Sequence, residues 1–235
     1  MRKNKIIRIL LSLAFLILCQ NIVKAQEVTE RRDLAKFESV NLKGIGNVYV
    51  KMGEKQSVQV VADSELLPKI ITEVNGNELS IRLKKGFGEF ISEPKIDVFI
   101  VMEQIKGFKL SGVGKIESEG ILETDDIEIK NSGVGSIILQ LKSGDIITKL
   151  SGVGKVDLAG EAITNNIEIS GAGKVVANDL ITKNVTVKSS GVGNCTVNAT
   201  DNLDVKVSGI GKVKYYGNPQ VNSNVSGLGS IESLE

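Results

Sequence analysis

Histidine and tryptophan are absent from this chain of 235 residues. Without imidazole the chain lacks the commonest general base and the commonest metal ligand, and a Ser-His-Asp triad is excluded. Two cysteines and no histidine also leave no ordinary ligand set for zinc. We therefore expect no metal and no cofactor.

Cysteine is scarce, and one of the two residues falls in a targeting segment. Residues 1–25 are typical of a secretory signal peptide: basic residues come first, Ile9 to Cys19 is apolar, and Val23-Lys24-Ala25 offers a cleavage site. The apolar run is too short to predict a transmembrane helix, and no other segment could span a membrane as a helix. Lipidation of Cys19 is the less favoured alternative, because Leu18 stands where a small residue normally precedes a lipidated cysteine.

Removal of the signal peptide changes the thiol count and the charge. Cys195 is then the single cysteine, so no intramolecular disulfide can form. It occupies a position that holds Ile or Val elsewhere in the repeats, which predicts a buried side chain. Five of the 29 basic residues and no acidic residue are lost, which leaves 24 against 28 and a net charge of −4. This balance argues against nucleic acid as a partner.

Glycine, by contrast, is abundant and periodic. A Gly-apolar-Gly triplet occurs eight times, and a serine precedes it in seven copies. From the second copy onward the first glycines are 21, 19, 19, 20, 18 and 18 residues apart, which indicates one small unit stacked on itself. The triplet glycines are Gly44, Gly46, Gly112, Gly114, Gly133, Gly135, Gly152, Gly154, Gly171, Gly173, Gly191, Gly193, Gly209, Gly211, Gly227 and Gly229.

Alternating apolar residues flank each triplet, as in half-buried strands. Each unit is predicted to hold two or three short strands and no helix, and stacked units make parallel strands. The sequence therefore predicts an all-β parallel β-helix with coils of 18–21 residues. The glycine corner should require either a positive φ or a close backbone approach, so Gly→Ala there should cost on the order of 1 kcal/mol or more. Extra residues at Lys130-Asn131-Ser132 and Lys188-Ser189-Ser190 are interpreted as bulges or widened corners.

The mature chain is predicted to be one domain, 35–235, after a flexible leader at 26–34. Within it, 35–110 form an irregular N-terminal cap with the first coils, and 111–235 form regular coils. In the cap, Ser57 to Ala62 and Ile96 to Val101 are predicted strands, and Ile70 to Leu83 a hairpin around Asn75-Gly76-Asn77. Gly86 to Pro94 is a predicted loop.

Three segments carry a family resemblance. Phe37-Glu38-Ser39-Val40, then Gly44-Ile45-Gly46-Asn47-Val48, then the Ser-Gly-Val-Gly-Lys repeats resemble the head GIN domain family, the heads of auto-transporter adhesins in exported Bacteroidetes proteins. The resemblance covers roughly residues 35–220. It implies a right-handed parallel β-helix and a location at the envelope or cell surface. It implies no established activity and no catalytic residues.

Lysines at one equivalent position after the triplet form the candidate binding ladder: Lys115, Lys155, Lys174 and Lys212, with Asn47, Ser136, Asn194 and Ser230 in the other copies. Such a ladder could face a glycan, and a solvated edge that resists strand pairing is the alternative. Tyr49 and Tyr216 are the candidate outward-facing rings.

The sequence favours an exported, non-enzymatic module for adhesion or partner binding, placed in the periplasm, on the outer-membrane surface or outside the cell. An unidentified glycan or an envelope or host protein is the expected partner, and a second copy could associate through an open helix end. A periplasmic assembly scaffold is one alternative. A polysaccharide-active enzyme is the other, with Asp125, Asp126, Asp145, Asp201 and Asp204 as its candidate acids.

Overall fold

A computed structural model describes residues 27–84, 86 and 95–234. The predicted signal peptide, Cys19 and most of the predicted loop before Pro94 lie outside the described residues. Strands make up 77% of the structure, and they build a β-solenoid of about seven turns with a mostly parallel sheet. The predicted parallel β-helix is thereby confirmed. In the described part of the chain no helix is long and apolar enough to cross a bilayer.

The first eight strands build the irregular N-terminal part. They are β1 (Glu27–Arg32), β2 (Ser39–Leu42), β3 (Ile45–Met52), β4 (Ser57–Asp63), β5 (Ile70–Asn75), β6 (Glu78–Leu83), β7 (Ile96–Met102) and β8 (Gly107–Leu110). Strands β1, β4 and β7 pair antiparallel, and β7 then pairs parallel with β3. Strands β5 and β6 form the predicted hairpin, in which Gly76 has a φ of 60°.

The predicted flexible leader is instead largely a strand. Six residues of it, Glu27–Arg32, pair antiparallel with β4 at the edge of the sheet. The guanidinium of Arg32 donates a hydrogen bond of 3.0 Å to the carbonyl oxygen of Leu67. Polar composition suggested a solvated leader, but edge pairing satisfies the backbone of an exposed strand without burying its side chains.

The remaining strands wrap the regular coils. They are β9 (Val113–Asn131), β10 (Val134–Leu150), β11 (Val153–Ile169), β12 (Ala172–Ser189), β13 (Val192–Val207), β14 (Ile210–Tyr216), β15 (Gln220–Val225) and β16 (Leu228–Ser233). Strands β9 to β13 each run through almost a whole coil, where two or three short strands were predicted. They are continuous because nearly every residue in one coil pairs with its equivalent in the next.

The interior of the solenoid is a set of apolar columns. Residues that follow the triplet by two positions point inward and stack directly on one another. This column contains Val48, Ile116, Ile137, Val156, Val175, Cys195 and Val213, all at most 2% exposed. Burial of a Val or Ile side chain contributes roughly 1.5–3 kcal/mol, so these columns are the main source of stability between coils.

Neither predicted position holds a bulge. Asn131 and Ser189 are buried, and they pair in register with Leu150 and Ile169, without a shift in the strand pairing. The extra residues of the longer coils fall instead between Glu117 and Ile121 and between Val176 and Asp179. The length of a repeat gives the number of extra residues, but their position depends on where the neighbouring coil leaves room.

The triplet glycines allow adjacent coils to approach closely at the corner. The backbone N–H of Val153 donates to the carbonyl of Gly133 at 2.9 Å, and Val134 donates in the same way to Gly112. A Cβ added to Gly152 would lie well within 3.0 Å of the Gly133 carbonyl oxygen, which is backbone and cannot rotate away. The first glycine of the triplet is therefore required by contact between coils. The second glycine often adds a positive φ, such as 140° at Gly135.

We expect Gly152→Ala to destabilise the fold by about 3 kcal/mol or more, because the new methyl group forces two coils apart. Gly120→Ala is the matched control. Gly120 has a φ of 95° and nothing within 4 Å of an added Cβ, so only the left-handed penalty of about 1–2 kcal/mol applies. Urea unfolding of both variants measures the difference, and equal losses would show that conformation, not contact, selects the triplet glycines.

Candidate ligand-binding groove

The corner before each triplet carries a row of lysines on its outer surface. Alternation along each strand turns the residue two positions before the serine outward, and the parallel register stacks these residues coil by coil. We call this row the lysine column; it contains Lys109, Lys130, Lys149, Glu168, Lys188 and Lys206.

A row of serines lies beside it. The serine column contains Ser111, Ser132, Ser151, Ser170, Ser190 and Ser208. Its backbone is committed to the corner, since the N–H groups of Ser132 and Gly133 both donate to the carbonyl of Leu110 at 2.9 Å. Its side chains are mostly free: the Ser111 hydroxyl donates to Asn41, whereas the other five have no hydrogen-bond partner within the described residues.

The two columns line a continuous depression, which we call the serine–lysine groove. One cavity of about 350 Å³ extends from Lys109 to Ser170, and a second of about 310 Å³ shares Glu168 and Ser170 with it. A third, of about 210 Å³, lies on the other side of Lys188 and Lys206, beside Thr186, Asp204 and Asn222, and is not part of this groove. The groove therefore runs across the strands, along the direction in which the coils stack.

Charge is unevenly neutralised along this groove. Lys109 forms an ion pair of 2.6 Å with Glu78, and Lys130 one of 2.6 Å with Glu128. Glu128 also lies 3.6 Å from Lys149. For Lys188 and Lys206 no carboxylate lies within 4.0 Å in the described chain. Glu168 and Asp204 line the same cavities as these two lysines without pairing with them, so both ammonium groups are available to an outside anion.

Glu128 shows the field of these lysines. Partial burial opposes its ionisation, but the hydrogen bond from Lys130 and the charges of Lys130, Lys149 and Lys109 outweigh that cost, so the pKa of Glu128 lies below its ordinary value of 4.5. A carboxylate with a lowered folded pKa stabilises the fold above its unfolded pKa and loses that effect as the pH falls.

The predicted ladder after the triplet occupies a different outer column. Asn47, Lys115, Ser136, Lys155, Lys174 and Asn194 follow one another in register, and Lys212 continues to Ser230. Two of its four lysines are engaged by their own strand, Lys115 with Glu117 at 2.5 Å and Lys155 with Asp157. The hydrogen bond that the Lys115 ammonium donates to Glu117 raises the pKa of Lys115 despite partial desolvation.

The two predicted rings are far apart. Tyr49 on β3 stacks on Phe99 of the neighbouring strand β7, with ring centroids 5.1 Å apart. The ammonium of Lys115, on the strand β9 at the other side of β3, lies 5.1 Å from the centroid of the Tyr49 ring. Both faces of Tyr49 are therefore covered. Tyr216 is on β14, six strand spacings away, or roughly 29 Å. The two rings cannot share one small ligand.

The candidate acids fall in two groups, since Asp145 pairs in register with Asp126 beside Asp125, and four of the five are engaged by a neighbouring side chain. Asp126 pairs with Lys106 at 2.9 Å, and Asp145 accepts a hydrogen bond of 2.5 Å from Thr164. Asp201 accepts from Thr200 and Asp204 from Asn222. Asp125 lines an open cavity of about 660 Å³, and both carboxylates and lysine ammonium groups line the same cavity. Among the described residues no group of three Asp, Glu or Cys side chains could hold a metal.

The chain matches the family model described as "Putative auto-transporter adhesin, head GIN domain" over residues 36–219. This protein belongs to the head GIN domain family. No curated protein matches it. The family match confirms the resemblance carried by the segments from Phe37 to Val48 and by the Ser-Gly-Val-Gly-Lys repeats.

Solved structures resemble this head GIN domain along most of its length. A "putative adhesin" from Bacteroides fragilis is 27% identical, with a TM-score of 0.82 over 89% of this chain and 97% of that one. A "putative lipid binding protein" from Parabacteroides distasonis (21% identity, TM-score 0.68, 90% and 98%) shares the fold. So does a "putative adhesin" from Parabacteroides merdae (19%, 0.65, 90% and 98%).

The lysine column was not predicted from the sequence, although a signal for it exists. Five of the seven serine-preceded triplets have Lys two positions before the serine, as in Lys149-Leu150-Ser151-Gly152. The lysines after the triplet are the more conspicuous pattern in the sequence, because they directly follow the glycines. The corner makes the earlier lysines line a concavity, and that shape depends on how coils stack.

Cys195 is buried as predicted, between Val175 and Val213. Desolvation raises the pKa of its thiol from 9.0 to about 12.

At about pH 8 Cys195 should hold about a thousandfold less thiolate than a free cysteine. We expect native protein to resist a thiol reagent and unfolded protein to react fully. Val192→Cys in a Cys195→Val background is the positive control, because Val192 is 59% exposed. Rapid labelling of native Cys195 would contradict its burial.

Glu128→Gln should lower the free energy of unfolding at pH 7 by less than about 1 kcal/mol, because the pairs are partly exposed. As the pH falls below 4.5 the wild-type carboxylate takes up a proton, and the difference should vanish by about pH 2. Glu161→Gln, at an exposed position in β11, is the control and should leave stability unchanged. A difference that persists in acid would assign the effect to packing.

Proposed function

We propose that this protein is an exported, non-enzymatic adhesion module that binds a partner at the cell envelope. The family description and the B. fragilis relative, both named as adhesins, support an adhesion role. The signal peptide predicted at 1–25 supports export. The engagement of four of the five candidate acids with neighbouring side chains supports a binding role over hydrolysis of a polysaccharide.

The observation that carries the proposal is an extended face of aligned side chains. Between the serine column and the ladder after the triplet lies an exposed apolar ridge, formed by the middle residue of each triplet: Ile45, Val113, Val134, Val153, Ala172, Val192, Ile210 and Leu228. Cationic, hydroxyl and apolar groups thus repeat coil after coil. Such a face suits an elongated partner, because a small metabolite would contact two or three coils at most.

The partner is a glycan or an envelope or host protein. The lysines after the triplet, Lys115, Lys155, Lys174 and Lys212, lie beyond the apolar ridge, on the side away from the serine column. Lys115 and Lys155 are held there by acidic neighbours, and Tyr49 is covered by Phe99 and Lys115, so the serine column and the lysines before it are the more accessible part of the face. Self-association through an open end of the solenoid remains part of this proposal as a second partner class.

Surface exposure can be measured by adding protease to intact cells, with lysed cells and a periplasmic protein as controls. An adhesion module should be digested on intact cells while the periplasmic control survives. Digestion of both proteins only after lysis would overturn the adhesion role and leave the periplasmic scaffold. Because β-solenoids resist proteases, a cleavage site inserted at Gly76, in the hairpin turn, makes the readout independent of native resistance.

A further inference from the structure

We propose that the serine–lysine groove binds a linear acidic polysaccharide that lies across the strands, parallel to the stacking direction. This inference rests on the proposed function and names the class of ligand. It places the ligand on the side of the triplet opposite to the ladder that contains Lys155.

The repeat of the groove suits a polymer. Lysines recur at the same outer position in five of six successive coils, and adjacent strands lie about 4.8 Å apart. Glu168 interrupts the row between Lys149 and Lys188. A polymer with regularly spaced carboxylates or sulfates can meet several ammonium groups at once, so that weak contacts add up along its length.

The charge of the groove favours an anion at its C-terminal half. Lys109 and Lys130 each have a carboxylate within 2.6 Å, and Lys149 shares Glu128. Lys188 and Lys206 have no such partner among the residues that the structure describes. An anionic ligand would neutralise these two without displacing an internal ion pair.

The floor of the groove suits a sugar. The hydroxyls of Ser132, Ser151, Ser170, Ser190 and Ser208 have no hydrogen-bond partner in the described structure. A hydroxyl both donates and accepts, so a row of them can bond to sugar hydroxyls in either orientation. The lining is concave and consists mostly of lysine and serine side chains, which suits a bilayer surface less well than a single chain.

The chain offers two lysine sets that differ mainly in position. Lys149→Gln, Lys188→Gln and Lys206→Gln change the groove, whereas Lys155→Gln, Lys174→Gln and Lys212→Gln change the ladder after the triplet. Each set removes three charges, and each contains one lysine with a carboxylate within 4.0 Å. Circular dichroism and thermal unfolding should show that both triple variants fold like the wild type.

The purified full-length mature protein is titrated against polygalacturonate, dextran sulfate and neutral dextran at low and at physiological salt. We expect binding to at least one anionic polymer, none to dextran, and weakening with salt. The groove variant should lose about tenfold or more in affinity, because three exposed ion pairs between lysines and the polymer are removed. The ladder variant should lose little affinity. Polygalacturonate against dextran sulfate separates carboxylate from sulfate as the recognised group.

Other outcomes would overturn the inference. Equal losses in both variants would mean non-specific attraction, and a loss confined to the ladder variant would move the ligand to the other side of the triplet. Binding to dextran, or absence of binding to both anionic polymers, would exclude an acidic polysaccharide. Groove-dependent binding to phosphatidylglycerol vesicles but to neither polymer would indicate a lipid. Because the protease experiment on intact cells needs no ligand, failure here leaves the adhesion proposal to be judged separately.

Discussion

The architecture depends on one backbone contact, the approach of neighbouring coils at the glycine corner. There the carbonyl of one triplet glycine accepts a hydrogen bond of 2.9 Å from the next coil, and any Cβ at the first glycine would collide with that carbonyl. Because the backbone hydrogen bonds between neighbouring coils continue through the corner, the coils cannot slip relative to each other there. This constraint fixes the register around each corner, and the pairing shifts only farther along the coils, where their lengths differ.

Fixed register has opposite consequences inside and outside. Inside, like side chains stack on like, so Cys195 fits a column of Val and Ile, and its thiol is kept neutral by desolvation. Outside, equal register positions turn a sequence repeat into straight rows of lysine, serine and apolar side chains. A row of lysines would repel itself, and acids on adjacent columns, such as Glu128, reduce that repulsion. Lys188 and Lys206 form no such ion pair, although Asp204 occupies the column of Glu128, so their ammonium groups are available to a ligand.

The binding face therefore results from the same geometry that stabilises the fold. A repeat that needs glycine at the corner and apolar residues in the column still leaves its outward positions free to vary. The elongated face fits an adhesion module, whose partner offers many weak contacts instead of one deep pocket.

The sequence by itself determined the parallel β-helix, the hairpin of β5 and β6 and the burial of Cys195, because periodic glycines and alternating apolar residues act locally and recur in every coil. Only the tertiary structure decided which outward residues share a concavity. Lys149 and Lys155 look equivalent in the sequence, since each lies within three residues of Gly152. The turn of the corner places the first in a groove and the second on a separate column. The bulge positions and the pairing of 27–32 with β4 were likewise decided by neighbouring strands, because they depend on the space and the unpaired backbone groups that those strands provide.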